Sequence, residues 1–124
     1  IDKILKKKKI HKKLSKILIL GVAYKKNIDD MRESASINLI KELIRNNFKG
    51  IEFSDPHINN FISTRTFNYN KKGIKLSPKN LKKFDIVVLM TDHDKFNYKM
   101  IYEYSKVIID CRGRYSVDHK VYRA

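Results

Sequence analysis

A disulfide framework is excluded at the outset, because Cys111 is the only cysteine in 124 residues. With no oxidised pair to protect, a reducing, cytoplasmic setting is the expectation. That thiol and four scattered histidines do not make a zinc site either. No apolar run approaches the roughly 20 residues of a membrane span, so no membrane partner is expected. The basic N-terminal stretch lacks a following apolar block and a small-residue cleavage site, which argues against a secretory signal. Glycine is scarce, and none follows Gly21 until Gly50. The G-x-G-x-x-G cradle, whose backbone amides reach a pyrophosphate, is therefore absent. The chain is not expected to be a self-sufficient NAD-binding domain. Acidic residues are few, 13 against 28 Lys and Arg, for a formal charge of +15.

That charge resembles a nucleic-acid footprint. Two features weaken the reading. Residues 1–16 hold eight lysines against Asp2, which concentrates charge in one arm. There are also 22 lysines but only 6 arginines, alongside 17 isoleucines and 10 asparagines. Base-reading interfaces lean on bidentate arginine, whereas a joint surplus of Lys, Ile and Asn is what an AT-rich genome writes everywhere. A solvated lysine-rich surface with no specific nucleic-acid partner is preferred. A small basic nucleic-acid-binding α/β module stands as the alternative.

The apolar fraction, 42%, and the length suit one domain with a real core. Residues 1–15 read as a lysine-rich helix or frayed arm with a poor apolar stripe in which Ile10 and Leu14 are four apart. Residues 16–21 read as a buried strand ended by Gly21. Over 33–47, Ile37, Ile40, Leu43 and Ile44 recur at helical spacing, and Asn46, Asn47 and Gly50 supply stop signals. Ile51-Glu52-Phe53-Ser54 is a second strand, and Asp55-Pro56 a turn. Residues 57–78 read as irregular loop with one short helix at most, and 79–83 as a brief helix. Ile86 to Met90 is a third strand, Tyr98 to Tyr104 a helical turn or two, and Val107-Ile108-Ile109 a fourth strand. The order predicts an α/β fold: a mainly parallel sheet with right-handed crossovers.

Strand exits then carry the chemistry. In a parallel sheet every strand leaves on the same edge, so Lys25, Arg32, Thr91, Asp92, His93 and Arg112 should converge on one rim. Lys25, Lys26 and Arg32 suit a phosphate as point charge or bidentate fork; equally, they can pair with Asp29, Asp30 and Glu33 in a solvated loop. Asp55 sits where a ribose-binding acid would, but without the glycines a turn-initiating role is preferred. His93, between Asp92 and Asp94, reads as a surface histidine in a turn, with acid–base chemistry as the alternative. Cys111 reads as a small filler at a strand end, although Arg112 beside it could lower its pKa.

Four stretches carry a resemblance. Gly21-Val22-Ala23-Tyr24-Lys25-Lys26-Asn27-Ile28-Asp29-Asp30-Met31-Arg32-Glu33-Ser34 resembles the signature that opens the C-terminal, UDP-binding domain of the UDP-glucose/GDP-mannose dehydrogenase family. The likeness continues through Ser54 to His57, Phe84 to Phe96 and Ile109 to Tyr115, in the family's order. Within the family, the Val-Ala-Tyr and Asp-Asp-Met forms are most similar to bacterial UDP-N-acetylglucosamine 6-dehydrogenases. The resemblance implies a Rossmann-like three-layer domain over 16–124, with 1–15 as a basic connector at the end of a helix. It implies oxidation of a UDP-sugar's C6 alcohol to a uronate, with NAD, for surface polysaccharide. It implies that Tyr24, Lys25 and Arg112 contact the UDP-sugar and that Arg32 reaches NAD. The NAD-binding and central helical domains, with the nucleophilic cysteine, belong to stretches absent here; Cys111 is not in that place. No catalytic residue is then expected in this chain, which alone should be inactive, and the intact enzyme should be a homo-oligomer. One departure is Ala35, where the subgroup often has proline, which would preset the first helical turn.

Overall fold

The computed structural model describes residues 1–23, 25–27, 34–61, 69 and 71–123. In chain order the elements are α1 (Asp2–Lys7), a 3-10 turn (Lys12–Leu14), β1 (Lys16–Leu20), α2 (Ala35–Arg45), β2 (Gly50–Ser54), β3 (Asn60–Phe61), β4 (Lys71–Lys72), α3 (Pro78–Leu81), β5 (Ile86–Leu89), α4 (Tyr98–Tyr104), β6 (Ile108–Asp110) and β7 (Val121–Arg123). Five strands form one parallel sheet in the order β2-β1-β5-β6-β7, and β3 pairs antiparallel with β4. Helices lie on both faces, which makes a three-layer, Rossmann-like α/β domain.

The strands read as unbroken apolar runs because both faces are buried. Ile17 and Ile19 of β1, Ile51 and Phe53 of β2, and Ile86 and Val88 of β5 pack toward α1 and α2. The intervening Leu18, Leu20, Val87 and Leu89 pack with Leu81 of α3 and Ile101 of α4. β1 is an interior strand, between β2 and β5, and Ile17 to Leu20 are wholly buried. Each such side chain contributes about 1.5–3 kcal/mol by leaving water.

Helix α2 follows its periodicity. Ser36, Ile40 and Leu43 are buried along one face, while Ile44 is exposed. Ser34 caps it, its hydroxyl accepting from the Ser36 N–H at 3.1 Å. Asn47, at φ 69°, closes the other end, with the Phe48 N–H donating to the Leu43 carbonyl. The N-terminal arm differs from its sequence reading. Ile4 and Leu5 dock α1 onto the sheet, and Leu14, expected on the apolar stripe, is 78% exposed. The helix stops at Lys7, Lys9 follows at φ 58°, and Leu14 falls in the separate 3-10 turn. The fifth strand, β7, was not predicted from sequence. It holds one buried residue, Val121, among charged neighbours, and its place comes from pairing with β6. Within 57–78, the described residues add the β3–β4 pair, which the loop reading missed. Among the described residues no helix is long and apolar enough to cross a membrane.

The topology sets the site. From β1 the chain crosses by α2 to β2 on one side, then returns by α3 to β5 on the other. The strand order therefore reverses between β1 and β5. In open parallel sheets the crevice at the carboxyl ends of such a pair is where ligands bind.

Candidate functional site

Three strand-exit loops meet at that crevice, and the closest approach is made by Gly21. Its φ is 85°, and a Cβ there would lie 2.5 Å from the Thr91 Cβ and 2.7 Å from the Thr91 carbonyl oxygen. Glycine is required both by the left-handed backbone and by the contact. The Thr91 hydroxyl donates to the Ala23 carbonyl at 3.0 Å, and the Ser36 hydroxyl donates to the Gly21 carbonyl at 2.7 Å. The β1 exit is thus pinned to the β5 exit and to α2 at once. Gly21 serves this loop-to-loop contact, and no further glycine opens the backbone above it. The residues present do not fit a dinucleotide pyrophosphate cradle.

Beneath the rim lies a buried polar centre. Asp55, just past β2, accepts at Oδ2 from the N–H of Val22 (2.8 Å) and of Ala23 (3.2 Å), and at Oδ1 from the His57 N–H (2.8 Å). The last contact is the turn expected of Asp55; the first two tie β2 to the β1 exit. Its fourth partner is His93 Nε2, at 2.9 Å. His93 Nδ1 accepts the Asn27 N–H at 2.7 Å. A nitrogen that accepts an amide proton carries none, so Nε2 bears the hydrogen and donates to Asp55. The ring is a neutral imidazole in a fixed tautomer.

His93 is therefore not the surface residue its flanking aspartates suggested. It is fully buried, as is Thr91 at 4% exposure, while Asp94 is exposed. Both lie under the rim, and the loop folds them inward because Asp55 and the Asn27 amide offer partners there. The His57 ring stands edge-on 4.7 Å away, and Phe96 lies 5.6 Å away. The Tyr98 hydroxyl donates to the His93 carbonyl at 2.6 Å. Burial pushes that hydroxyl's pKa up to about 12, so it remains a donor.

The rim itself is cationic. Lys25, Lys26 and Asn27 are exposed at the β1 exit. Among the described residues no carboxylate pairs with Lys25. Asp29, Asp30 and Glu33, the partners considered from sequence, lie outside the described residues, as do Tyr24 and Arg32. Arg112, at the β6 exit on the other side of β5, is half exposed, and its Nε lies 3.4 Å from Asp92 Oδ1. That oxygen has no hydrogen-bond partner among the described residues. Arg114 stacks its guanidinium 4.1 Å over the Tyr98 ring.

Asp110 organises the β6 exit, a role the sequence reading did not assign. Its Oδ1 accepts from the N–H of Arg112 and of Gly113, both at 2.9 Å. Its Oδ2 accepts from the Tyr115 N–H at 2.7 Å and from Arg123 Nη1 at 3.1 Å. An aspartate closing an apolar strand before a glycine-containing loop was the signal available for it. Cys111 is half buried, as a filler would be. Its thiol pKa is raised by burial and by the Asp110 carboxylate, which together outweigh Arg112.

Known proteins supply the context. Residues 18–117 match the UDP binding domain of the UDP-glucose/GDP-mannose dehydrogenase family. An NDP-N-acetyl-D-galactosaminuronic acid dehydrogenase of Ralstonia solanacearum is 33% identical over 104 residues, 81% of this chain and 23% of that protein. A UDP-N-acetyl-D-mannosamine dehydrogenase of Methanococcus maripaludis is 36% identical over 89 residues, 72% of this chain and 18% of that protein. The solved UDP-D-ManNAc dehydrogenase of Pyrococcus horikoshii superposes with a TM-score of 0.72 at 25% identity, over 98% of this chain and 28% of that one. The UDP-N-acetyl-mannosamine dehydrogenase Cap5O of Staphylococcus aureus shares the fold, with a TM-score of 0.64 at 21% identity, over 98% of this chain and 29% of its own. This chain thus spans less than a quarter of these curated relatives. They are named for galacto and manno sugars, so the gluco sugar expected from the signature has no support among them. By the match over residues 18–117, the chain belongs to the UDP-glucose/GDP-mannose dehydrogenase family, through that family's UDP binding domain.

Proposed function

We propose that residues 16–124 are the UDP-sugar-binding part of an NAD-dependent UDP-N-acetylhexosamine 6-dehydrogenase, with residues 1–15 as its connector. One observation carries the reading. The loops bearing Lys25 and Arg112 leave β1 and β6 on the same sheet edge, on either side of β5, beside the β1/β5 reversal point. Two cations on that edge suit a diphosphate: Lys25 as a point charge, Arg112 as a fork once it exchanges Asp92 for phosphate oxygens. Tyr24 would contact the same ligand, and Arg32 would reach NAD across the cleft. Since Gly21 builds no cradle, NAD would be held by another domain, and no hydride step is assigned to this chain. The product would be a uronate for surface polysaccharide, and the setting cytoplasmic.

An apolar cleft supports contact with the central helical and NAD-binding domains. It is lined by Ile4, Val88, Met90, Ile109, Cys111 and Tyr122, near the carboxyl ends of β5 and β6. The intact enzyme would be a homo-oligomer.

Calorimetry with UDP at low salt tests the binding. Weak binding is expected of this domain by itself, because another domain would supply the other wall of the cleft. Arg112→Ala should weaken it by about tenfold or more, the effect of losing a charge-assisted pair. No heat at about 1 mM UDP, about 4 kcal/mol of binding free energy, would overturn the reading. Comparing UDP-N-acetylglucosamine with its galacto and manno epimers identifies the sugar. The chain alone, given NAD and any of the three, should produce no NADH. The basic-module alternative predicts instead that nucleic acid binds through residues 1–16 with a steep salt slope.

A further inference from the structure

Lys25 lies on a segment whose geometry is set from below. Asn27, two residues on, has φ 63°, a left-handed conformation that asparagine tolerates better than most residues. Three hydrogen bonds hold it there. Its N–H donates to His93 Nδ1 at 2.7 Å, its Nδ2 donates to Asp94 Oδ2 at 2.8 Å, and its Oδ1 accepts the Asp94 N–H at 2.9 Å. The β1 exit loop is therefore built on the β5 exit loop, across the point where the strand order reverses.

His93 is the rigid member of this contact. Its side chain and that of Asp55 are both wholly buried. Asp55 fixes which nitrogen carries the proton, the rings of His57 and Phe96 flank it, and Tyr98 holds its carbonyl. Nothing in this arrangement exposes an imidazole nitrogen to a ligand. What it delivers upward is one lone pair, at Nδ1, in a fixed place.

We propose that His93 is a positioning residue for UDP binding. The Asp55-held tautomer presents Nδ1 to the Asn27 amide, and this sets the backbone of residues 25–27 so that Lys25 faces the diphosphate. The proposal rests on the reading of Lys25 as a diphosphate ligand. It extends that reading by assigning binding geometry to a residue that touches no ligand. A buried histidine that merely filled space would contribute to stability alone.

Two substitutions separate these roles. In His93→Asn the amide oxygen reaches the Nδ1 position and keeps an acceptor for Asn27, while Asp55 retains three backbone donors. In His93→Gln the amide nitrogen reaches the Nε2 position and keeps the donor to Asp55, while the Asn27 N–H loses its acceptor. Both should lower the melting temperature. Only His93→Gln should weaken UDP, by about tenfold or more, because the Asn27 N–H then loses the acceptor that fixes the loop carrying Lys25. His93→Asn should stay within about threefold of wild type, roughly half that free energy. Equal UDP affinity in the two variants, or weaker binding by the Asn variant, would overturn the proposal.

A second measurement does not need UDP. Nitrogen-15 spectra of the wild-type chain should show His93 protonated at Nε2 and not at Nδ1, with slow hydrogen exchange at the Asn27 amide. Fast exchange there, or a proton on Nδ1, would overturn the proposal. Absence of UDP binding by the wild type, with the tautomer and slow exchange observed, would instead remove the function it rests on.

Discussion

Two aspartates close two strands of this sheet, and each accepts hydrogen bonds from four groups, yet they do different work. Asp110, the last residue of β6, serves Arg112, Gly113 and Tyr115, two, three and five residues ahead, and Arg123, 13 away. It folds its own loop. Asp55, after β2, serves His57 two residues ahead, but also Val22, Ala23 and His93, which are 33, 32 and 38 residues away. It joins three loops from three strands. The lesson concerns substitution by water. Around Asp110, Arg112 and Gly113 are exposed, so solvent can take over as acceptor. Around Asp55, Val22 and His93 are sealed, and a lost acceptor leaves donors with nothing.

Replacing each aspartate puts that difference to the sharpest trial. Asp55→Ala should destabilise the fold by about 3–5 kcal/mol, because it strands buried donors. Urea unfolding measures it, and a loss no greater than that of Asp110→Ala would break the comparison. Gly21→Ala probes the same junction from the other side. A positive φ and a contact inside 3.0 Å together should cost about 2–4 kcal/mol. Thermal unfolding of this variant near the wild-type midpoint would mean that the β1 and β5 exits yield easily. Asp110→Ala itself should cost about 1–2 kcal/mol, and hydrogen exchange should rise at Arg112, Gly113 and Tyr115 while the Val22 amide stays protected.

The smallest effect sharpens the contrast between loop and helix. Ala35 is the first residue of α2, its N–H is one that the helix leaves unused, and Ser34 is already extended at ψ 138°. Ala35→Pro should therefore stabilise by about 0.4–1 kcal/mol, through the unfolded chain. A fall in melting temperature would show that the entry to α2 is less regular than its cap implies.

How much was legible follows the same division. Strands β1, β2, β5 and β6 were readable because both-sided burial writes unbroken apolar runs. Helix α4 was readable from Tyr98 to Tyr104 because its breakers are local. β7 was not, since a three-residue edge strand carries only Val121 as its apolar signal. His93 was misread as a surface residue because Asp92 and Asp94 beside it are polar; its burial depends on Asp55 and Asn27, both far along the chain. Lys25 and Arg112 were readable as a pair only through the premise that all strands run the same way.

The sequence by itself determined the parallel α/β architecture, the missing glycine cradle and the family, because each is written in contiguous residues: apolar runs, one glycine where three would be needed, and four motifs in order. Only the tertiary structure decided that Asp55, His93 and Asn27 form a single hydrogen-bonded chain running from the buried centre up to the cationic rim. Hydrogen-bond geometry between segments more than thirty residues apart depends on how the sheet brings their ends together. No local pattern encodes it.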